Sequence, residues 1–209
     1  MMNKKGMELS MGLIVVLILS ILIFSMSLYF VFKWFGQAEQ LKGEIDKQTR
    51  EQILSALKTG NQLVAIPISV LEAKRGAIVN FGVGVRNILA EDKFSMAVRF
   101  SGAYMPDGKA LPVDPEYVSN KWLGAFAITD TFVLKKNEEK LLPILIKADV
   151  NMAQGKPTQR GDYVFNVCVY KAPLRSDGTP PAKCEVGQFQ TNPEVFYTKK
   201  IYQIVLRVI

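Results

Sequence analysis

From Met11 to Phe32 the chain reads MGLIVVLILSILIFSMSLYFVF, 22 residues without one charged side chain. No other feature constrains the fold as strongly. A bilayer core of ~30 Å is crossed by about 20 apolar residues rising ~1.5 Å each. The polar side chains in and beside the run are Ser10, Ser20, Ser25 and Ser27. They do not form the polar stripe of an amphipathic helix in a soluble domain. Tyr29, Lys33 and Trp34 at the far end are the aromatic and basic residues typical of a headgroup boundary. The sequence therefore predicts a basic leader over residues 1–10 and a transmembrane helix over 11–35. The apolar run is longer than the ~7–15 residues of a cleaved secretory signal. Lys4 and Lys5 on one side balance Lys33, Lys42 and Lys47 on the other, so the basic count leaves orientation open.

Residues 36–60 are rich in Gln, Glu, Lys and Ala, which are good helix formers. Lys47–Glu51 and Asp46–Arg50 are i,i+4 charge pairs. Leu41, Ile45, Ile53, Leu54 and Leu57 give a narrow apolar stripe, expected to rest on the domain that follows. Gly60-Asn61 supplies the stop. The expectation is one long N-terminal α-helix, transmembrane segment plus amphipathic stalk, of about 73 Å if straight.

From residue 61 to 209 the apolar period changes to two. Val79, Phe81, Val83 and Val85 alternate with small or polar residues, as do Phe94, Met96, Val98 and Phe100. This is the pattern of half-buried antiparallel strands. Further strands are expected over 65–71, 126–134, 141–150, 163–170, near 185–189 and over 197–208. Turn chemistry at Lys74-Arg75-Gly76, Lys136-Asn137-Glu138 and Gln159-Arg160-Gly161-Asp162 separates them. Seven or eight short strands argue for an all-β antiparallel sandwich. Cys168 and Cys184 flank a segment with Pro173, Asp177-Gly178 and Pro180-Pro181 that can fold back. They are expected to form a disulfide in an oxidising compartment; two half-buried free thiols are the alternative.

Composition removes several chemistries. The chain has no histidine, which excludes Ser-His-Asp and Cys-His catalysis and His-ligated metals. Two cysteines are too few for a Cys-only structural zinc site. Gly82-Val83-Gly84 lacks the third glycine and the following helix of a dinucleotide fingerprint. It reads instead as a bare strip against which a neighbouring group lies close. Glu138-Glu139 reads as a solvated turn. No catalytic, cofactor or metal site is expected, and the chain is not expected to be an enzyme. The net charge of +7 is carried mostly by residues 61–209, with 19 basic against 14 acidic residues. Basic knots at Lys74-Arg75, Lys135-Lys136 and Lys199-Lys200 favour an anionic polymer or lipid headgroups. No nucleic-acid-binding signature accompanies them. Tyr104, Met105, Tyr117 and Trp122 mark a long insertion that is either an interaction loop or a cover over an open sheet edge.

Two resemblances extend this reading. Lys4-Lys5-Gly6-Met7-Glu8-Leu9-Ser10 ahead of the apolar run resembles the class III signal of archaeal type IV pilin-like and archaellin-like proteins. That resemblance implies cleavage between Gly6 and Met7 by a prepilin-type peptidase, with the N-terminus cytoplasmic and the C-terminal head extracellular. Arg75-Gly76 with the following VNFGVGVRN, Phe132–Glu138 before LLPILIKADV, and Gly161–Val167 resemble strands of prokaryotic extracellular immunoglobulin-like domains. The expected function is a non-enzymatic structural and interaction protein of the cell surface, held by a single-pass anchor and presenting the head. The alternative is a pilin-like or archaellum-like filament subunit. The expected partners are membrane lipid, copies of the chain itself in a filament, or another surface protein, with no nucleic acid.

Overall fold

The computed structural model describes residues 12–24, 26 and 47–209. The chain divides into two units, Met1–Glu44 and Ile45–Ile209.

In the first unit residues 12–24 form a helix, α1. This corrects the expected long N-terminal helix. Thirteen residues rise about 20 Å, well short of a ~30 Å bilayer core. Among the described residues no helix is long and apolar enough to cross a membrane. The single-pass transmembrane anchor loses its support, and with it the localisation in the cell membrane with an inside N-terminus and an outside head. The leader residues Gly6 and Met7 and the boundary residues Tyr29, Lys33 and Trp34 lie outside the described residues.

The second unit opens with helix α2, Lys47–Lys58. Residues 36–46 of the expected stalk lie outside the described residues. What is described of it belongs to the head: Ile53 and Leu57, one turn apart, are fully buried with Ala65 in a small core, and Ala56 and Leu141 pack against them. Ile53 and Leu57 are an i,i+4 pair, so one helical face delivers both to the sheet. Asn61 takes the left-handed conformation, φ 49°, and the Gln62 N–H donates to the Ala56 carbonyl, closing the helix.

Ten strands follow: β1 Val64–Ala65, β2 Val70–Ala73, β3 Ile78–Arg86, β4 Asp92–Tyr104, β5 Ile128–Leu134, β6 Glu139–Lys147, β7 Asn151–Ala153, β8 Lys156–Pro157, β9 Gly161–Tyr170 and β10 Tyr202–Val208. One sheet has the order β1-β3-β6, the other β2-β10-β9-β4-β5, and β7-β8 is a separate ribbon. Lettered as in immunoglobulin-type sandwiches, the two sheets are A-B-E and A′-G-F-C-C′. The sandwich is not wholly antiparallel, because β2 runs parallel to β10 from Val70↔Val205 to Ala73↔Val208. The strand expected near 185–189 is instead part of a short helix, α4, Val186–Thr191.

The inner faces meet in one core. Phe81, Val83 and Val85 of β3 and Leu142, Ile144 and Ile146 of β6 face Phe94, Met96 and Val98 of β4 and Phe165, Val167 and Val169 of β9. Both outer faces are covered as well. Helix α2 lies on the three-stranded sheet. On the five-stranded sheet, Ala97, Cys168 and Tyr170 make a second small core with Ala182, Cys184 and Phe196. Strand β9 is therefore buried on both faces through Val167–Tyr170.

Two side-chain locks fix the ends of the sandwich. Asn87 is fully buried; its Nδ2 donates to the Ala90 and Leu134 carbonyls and its Oδ1 accepts from the Leu89 N–H. At the start of β9 the Tyr163 hydroxyl donates to the Gln159 carbonyl four residues upstream, at 2.9 Å. This is the geometry of a tyrosine corner.

Candidate interaction surfaces

Two surfaces stand out among the described residues. The first is helix α1. From Leu13 to Phe24 every large side chain is exposed by between 51% and 66%. The single polar side chain among them, Ser20, donates its hydroxyl to the Val16 carbonyl and so asks nothing of a neighbour. The helix is apolar on all sides, and burying one such side chain is worth about 1.5–3 kcal/mol.

The second surface is a cleft of about 780 Å³ on the outer face of the five-stranded sheet. Its floor is Ala97, Val98 and Arg99 of β4 with Ile128 of β5. One wall is the helical segment from Pro115 to Asn120, which begins with the short helix α3, Pro115–Val118. Asp114 caps α3, accepting from the Glu116 and Tyr117 N–H groups. The other wall is the segment from Arg175 to Cys184.

That second wall is held by the disulfide Cys168–Cys184, with Cα atoms 5.6 Å apart. Both cysteines are buried. Around the bond, the Tyr170 hydroxyl donates to the Ala182 carbonyl at 2.7 Å and the Asn166 amide reaches the Cys184 carbonyl at 3.4 Å. Burial pushes the Tyr170 phenol well above its ordinary range, so it stays a donor. Three of the charged side chains at the cleft, Arg99, Arg175 and Asp177, are engaged. Arg99 pairs with Glu185 at 2.8 Å, and the Arg175 guanidinium donates to the Pro181 carbonyl. Asp177 accepts from the Thr179 hydroxyl and N–H, and those bonds hold its carboxyl below the usual carboxylate range. It is an ionised turn-holder, with no proton to give at neutral pH.

The four residues expected to form an interaction loop do not converge on one surface. Trp122 is 2% exposed, packs on Tyr163 with ring centroids 4.6 Å apart, and donates its Nε1–H to the Asn151 carbonyl. Residues 119–127 lie against β6, where a further strand would otherwise border the sheet, so this insertion covers an edge. Met105 packs against the main core, and the Tyr117 hydroxyl lies 3.5 Å from Asp149 Oδ2. Tyr104 alone is exposed, at 46%. Gly82 and Gly84 are buried in β3, and a Cβ at Gly84 would overlap the side chains of Ile53 and Leu57. The cleft residues Arg99, Arg175 and Asp177 are ones that sequence reasoning missed. The Cys168–Cys184 spacing shows that a loop folds back but not onto which sheet face.

No family model matches the chain, and no curated protein matches it. Among solved structures it has a likeness to a family 123 glycoside hydrolase from Clostridium perfringens, with 10% identity and a TM-score of 0.36, over 68% of this chain and 23% of that one. A second is an alkylpurine DNA glycosylase from Pseudomonas fluorescens, with 14% identity and a TM-score of 0.33, over 77% of this chain and 37% of that one. A third is a Niemann-Pick type C2 protein from the Japanese carpenter ant, with 8% identity and a TM-score of 0.30, over 70% of this chain and 89% of that one. The chain thus spans about a quarter of the first of these proteins and just over a third of the second. Likenesses at these TM-scores assign it no activity.

Proposed function

We propose that the chain is a non-enzymatic structural subunit of a filament-type assembly, in which α1 packs against the α1 helices of other copies and the sandwich is displayed for contact with partners. The observation that carries this reading is the exposure of α1 on every side. An amphipathic helix would bury one face on its own domain and leave a polar face in water. With no polar face, α1 is covered fully only when neighbours surround it, and a bundle of identical helices does that with one repeated contact. The resemblance of residues 4–10 to pilin-like signals supports the same arrangement. The bonds already made by Arg99, Arg175 and Asp177 at the cleft support the non-enzymatic part.

The test is the state of the full chain in detergent-free buffer, followed by sedimentation velocity and electron microscopy. Wild type is expected to form large or fibrous particles. A Leu17→Asp/Ile21→Asp variant is expected to sediment as a 23.4 kDa monomer with its β-sheet circular dichroism and disulfide intact. A wild-type monomer, or a variant that assembles as well as wild type, would overturn the reading.

A further inference from the structure

Strands β2, β10 and β9 end side by side. In register, Ala73 lies beside Val208 and Val208 beside Gly161. The chain positions just past that row are Lys74-Arg75 on one flank, Ile209 in the middle and Arg160 on the other. These residues line a shallow hollow of about 600 Å³. Each of its three cations is exposed. Among the described residues none has a carboxylate within ion-pair distance.

We propose that this hollow binds an oxyanion group of phosphate or sulfate type, carried on a larger partner molecule. The nearest acidic side chains do not neutralise it. Asp162 and Glu72, one row earlier, both pair with Arg207, at 2.8 and 3.6 Å. Asp149 pairs with Lys147. The Ile209 carboxylate, where free, offsets at most one of the three positive charges. The cations are held by backbone, not merely clustered in sequence. The turn at Lys74–Ala77 is closed by the Ala77 N–H on the Lys74 carbonyl, with Gly76 at φ 81° and its N–H bound to the Ala148 carbonyl. The Ile209 N–H donates to the Ala73 carbonyl. Arg160 enters directly from the tyrosine corner, where Tyr163 grips Gln159. Two guanidinium forks and an ammonium around one concavity are the donor set that matches tetrahedral oxyanions. The half-exposed Ile209 side chain offers an apolar contact to the carrier.

The test uses the full chain at low ionic strength, titrated calorimetrically with inorganic tripolyphosphate and, separately, with a sulfated disaccharide. Saturable binding of one equivalent per chain by either probe is expected, weakening steeply with salt. Which probe binds more tightly identifies the carrier as a phosphate chain or a sulfated glycan. Arg160→Gln is expected to weaken binding about fivefold, and Lys74→Gln/Arg75→Gln about tenfold or more. Lys135→Gln/Lys136→Gln, at the opposite ends of the strands, keeps wild-type affinity. All five substituted side chains are exposed, and unchanged melting temperatures confirm intact folds. No saturable binding of either probe, or equal weakening by the Lys135/Lys136 variant, would overturn the proposal. Assembly through α1 is read by sedimentation and binding here by heat, so the two readings stand or fall separately.

Discussion

Gly84 sits in β3 at the point where α2 presses closest to the sheet. A methyl group there would overlap the Ile53 and Leu57 side chains, both fully buried. Gly84→Ala should therefore destabilise the head by about 1–3 kcal/mol through overpacking, read as a lower denaturant midpoint. An equal midpoint would mean that α2 shifts freely on the sheet. Asn87→Ala should be more damaging. It strips partners from the Leu134 and Ala90 carbonyls and the Leu89 N–H, with an expected loss of about 3 kcal/mol in the same experiment. These two positions differ in legibility. The Gly82-Val83-Gly84 run announces a close neighbour in the sequence, although not that the neighbour is a helix from 30 residues upstream. Nothing in the sequence marks Asn87 as buried, because besides its neighbours Leu89 and Ala90 it bonds the Leu134 carbonyl, 47 residues further along the chain. Trp122 shows the same limit from the other side. An aromatic among prolines and polar residues reads as a surface anchor until the missing strand beside β6 makes it part of the core.

At the scale of elements, alternation located the central strands well because each of β3, β4 and β9 has one face in a large core. It failed at the short segment 186–191, where burial comes from a loop packing on an outer face and no period of two is imposed. Composition overstated α1, where it favours helix without setting a length, whereas α2 falls within the expected stalk and ends before Gly60-Asn61. The Cys168–Cys184 bond ties the 16-residue separation between β9 and the cleft wall. Reduction should lower stability by about 3 kcal/mol in the chain-entropy account. Hydrogen exchange should rise first in residues 171–196, while β3 and β6 keep their protection; a uniform rise would show that the bond supports the whole sandwich. Arg207 makes a separate, pH-dependent contribution across β9 and β10. Its guanidinium, bonded to the Asp162 carboxylate at 2.8 Å, holds that carboxyl below its ordinary value. A depressed folded-state pKa stabilises above the unfolded pKa of ~3.9 and is lost as pH falls through the folded value. Arg207→Gln should thus be less stable than wild type at pH 7, and the difference should shrink in acid and disappear once the folded Asp162 carboxyl is protonated. A gap that persists in acid would place Arg207's contribution in packing rather than charge.

For the sandwich taken whole, four tyrosines act in one direction at high pH. Burial raises the phenols of Tyr163, Tyr170, Tyr197 and Tyr202 above their ordinary value of 10.0. Three of them also donate to a backbone carbonyl, a hydrogen bond their anions could not make: Tyr163 to Gln159, Tyr170 to Ala182 and Tyr197 to Arg86; the Tyr202 hydroxyl bonds that of Thr198. They stand in different places, at the tyrosine corner, under the disulfide loop, beneath the β3–β4 turn and at the start of β10. Their locks therefore tie the main core, its outer layer and both ends of the strands to one protonation state. A group with a raised folded-state pKa stabilises fully below its unfolded pKa, and that stability drains as pH rises toward the folded value. Because the unfolded chain releases these protons near pH 10 and the folded head keeps them, stability should be flat to about pH 9 and fall steadily above pH 10. Tyrosinate absorbance of these four should appear together with the loss of β-sheet circular dichroism, not before it. Tyr170→Phe tests the cause: it should remove part of the alkaline slope while weakening the fold at neutral pH by about 1 kcal/mol, the worth of one hydrogen bond. Ionisation of buried tyrosines well ahead of unfolding would mean that the outer layer opens on its own, and that the head is a sandwich with a detachable cover instead of one cooperative unit.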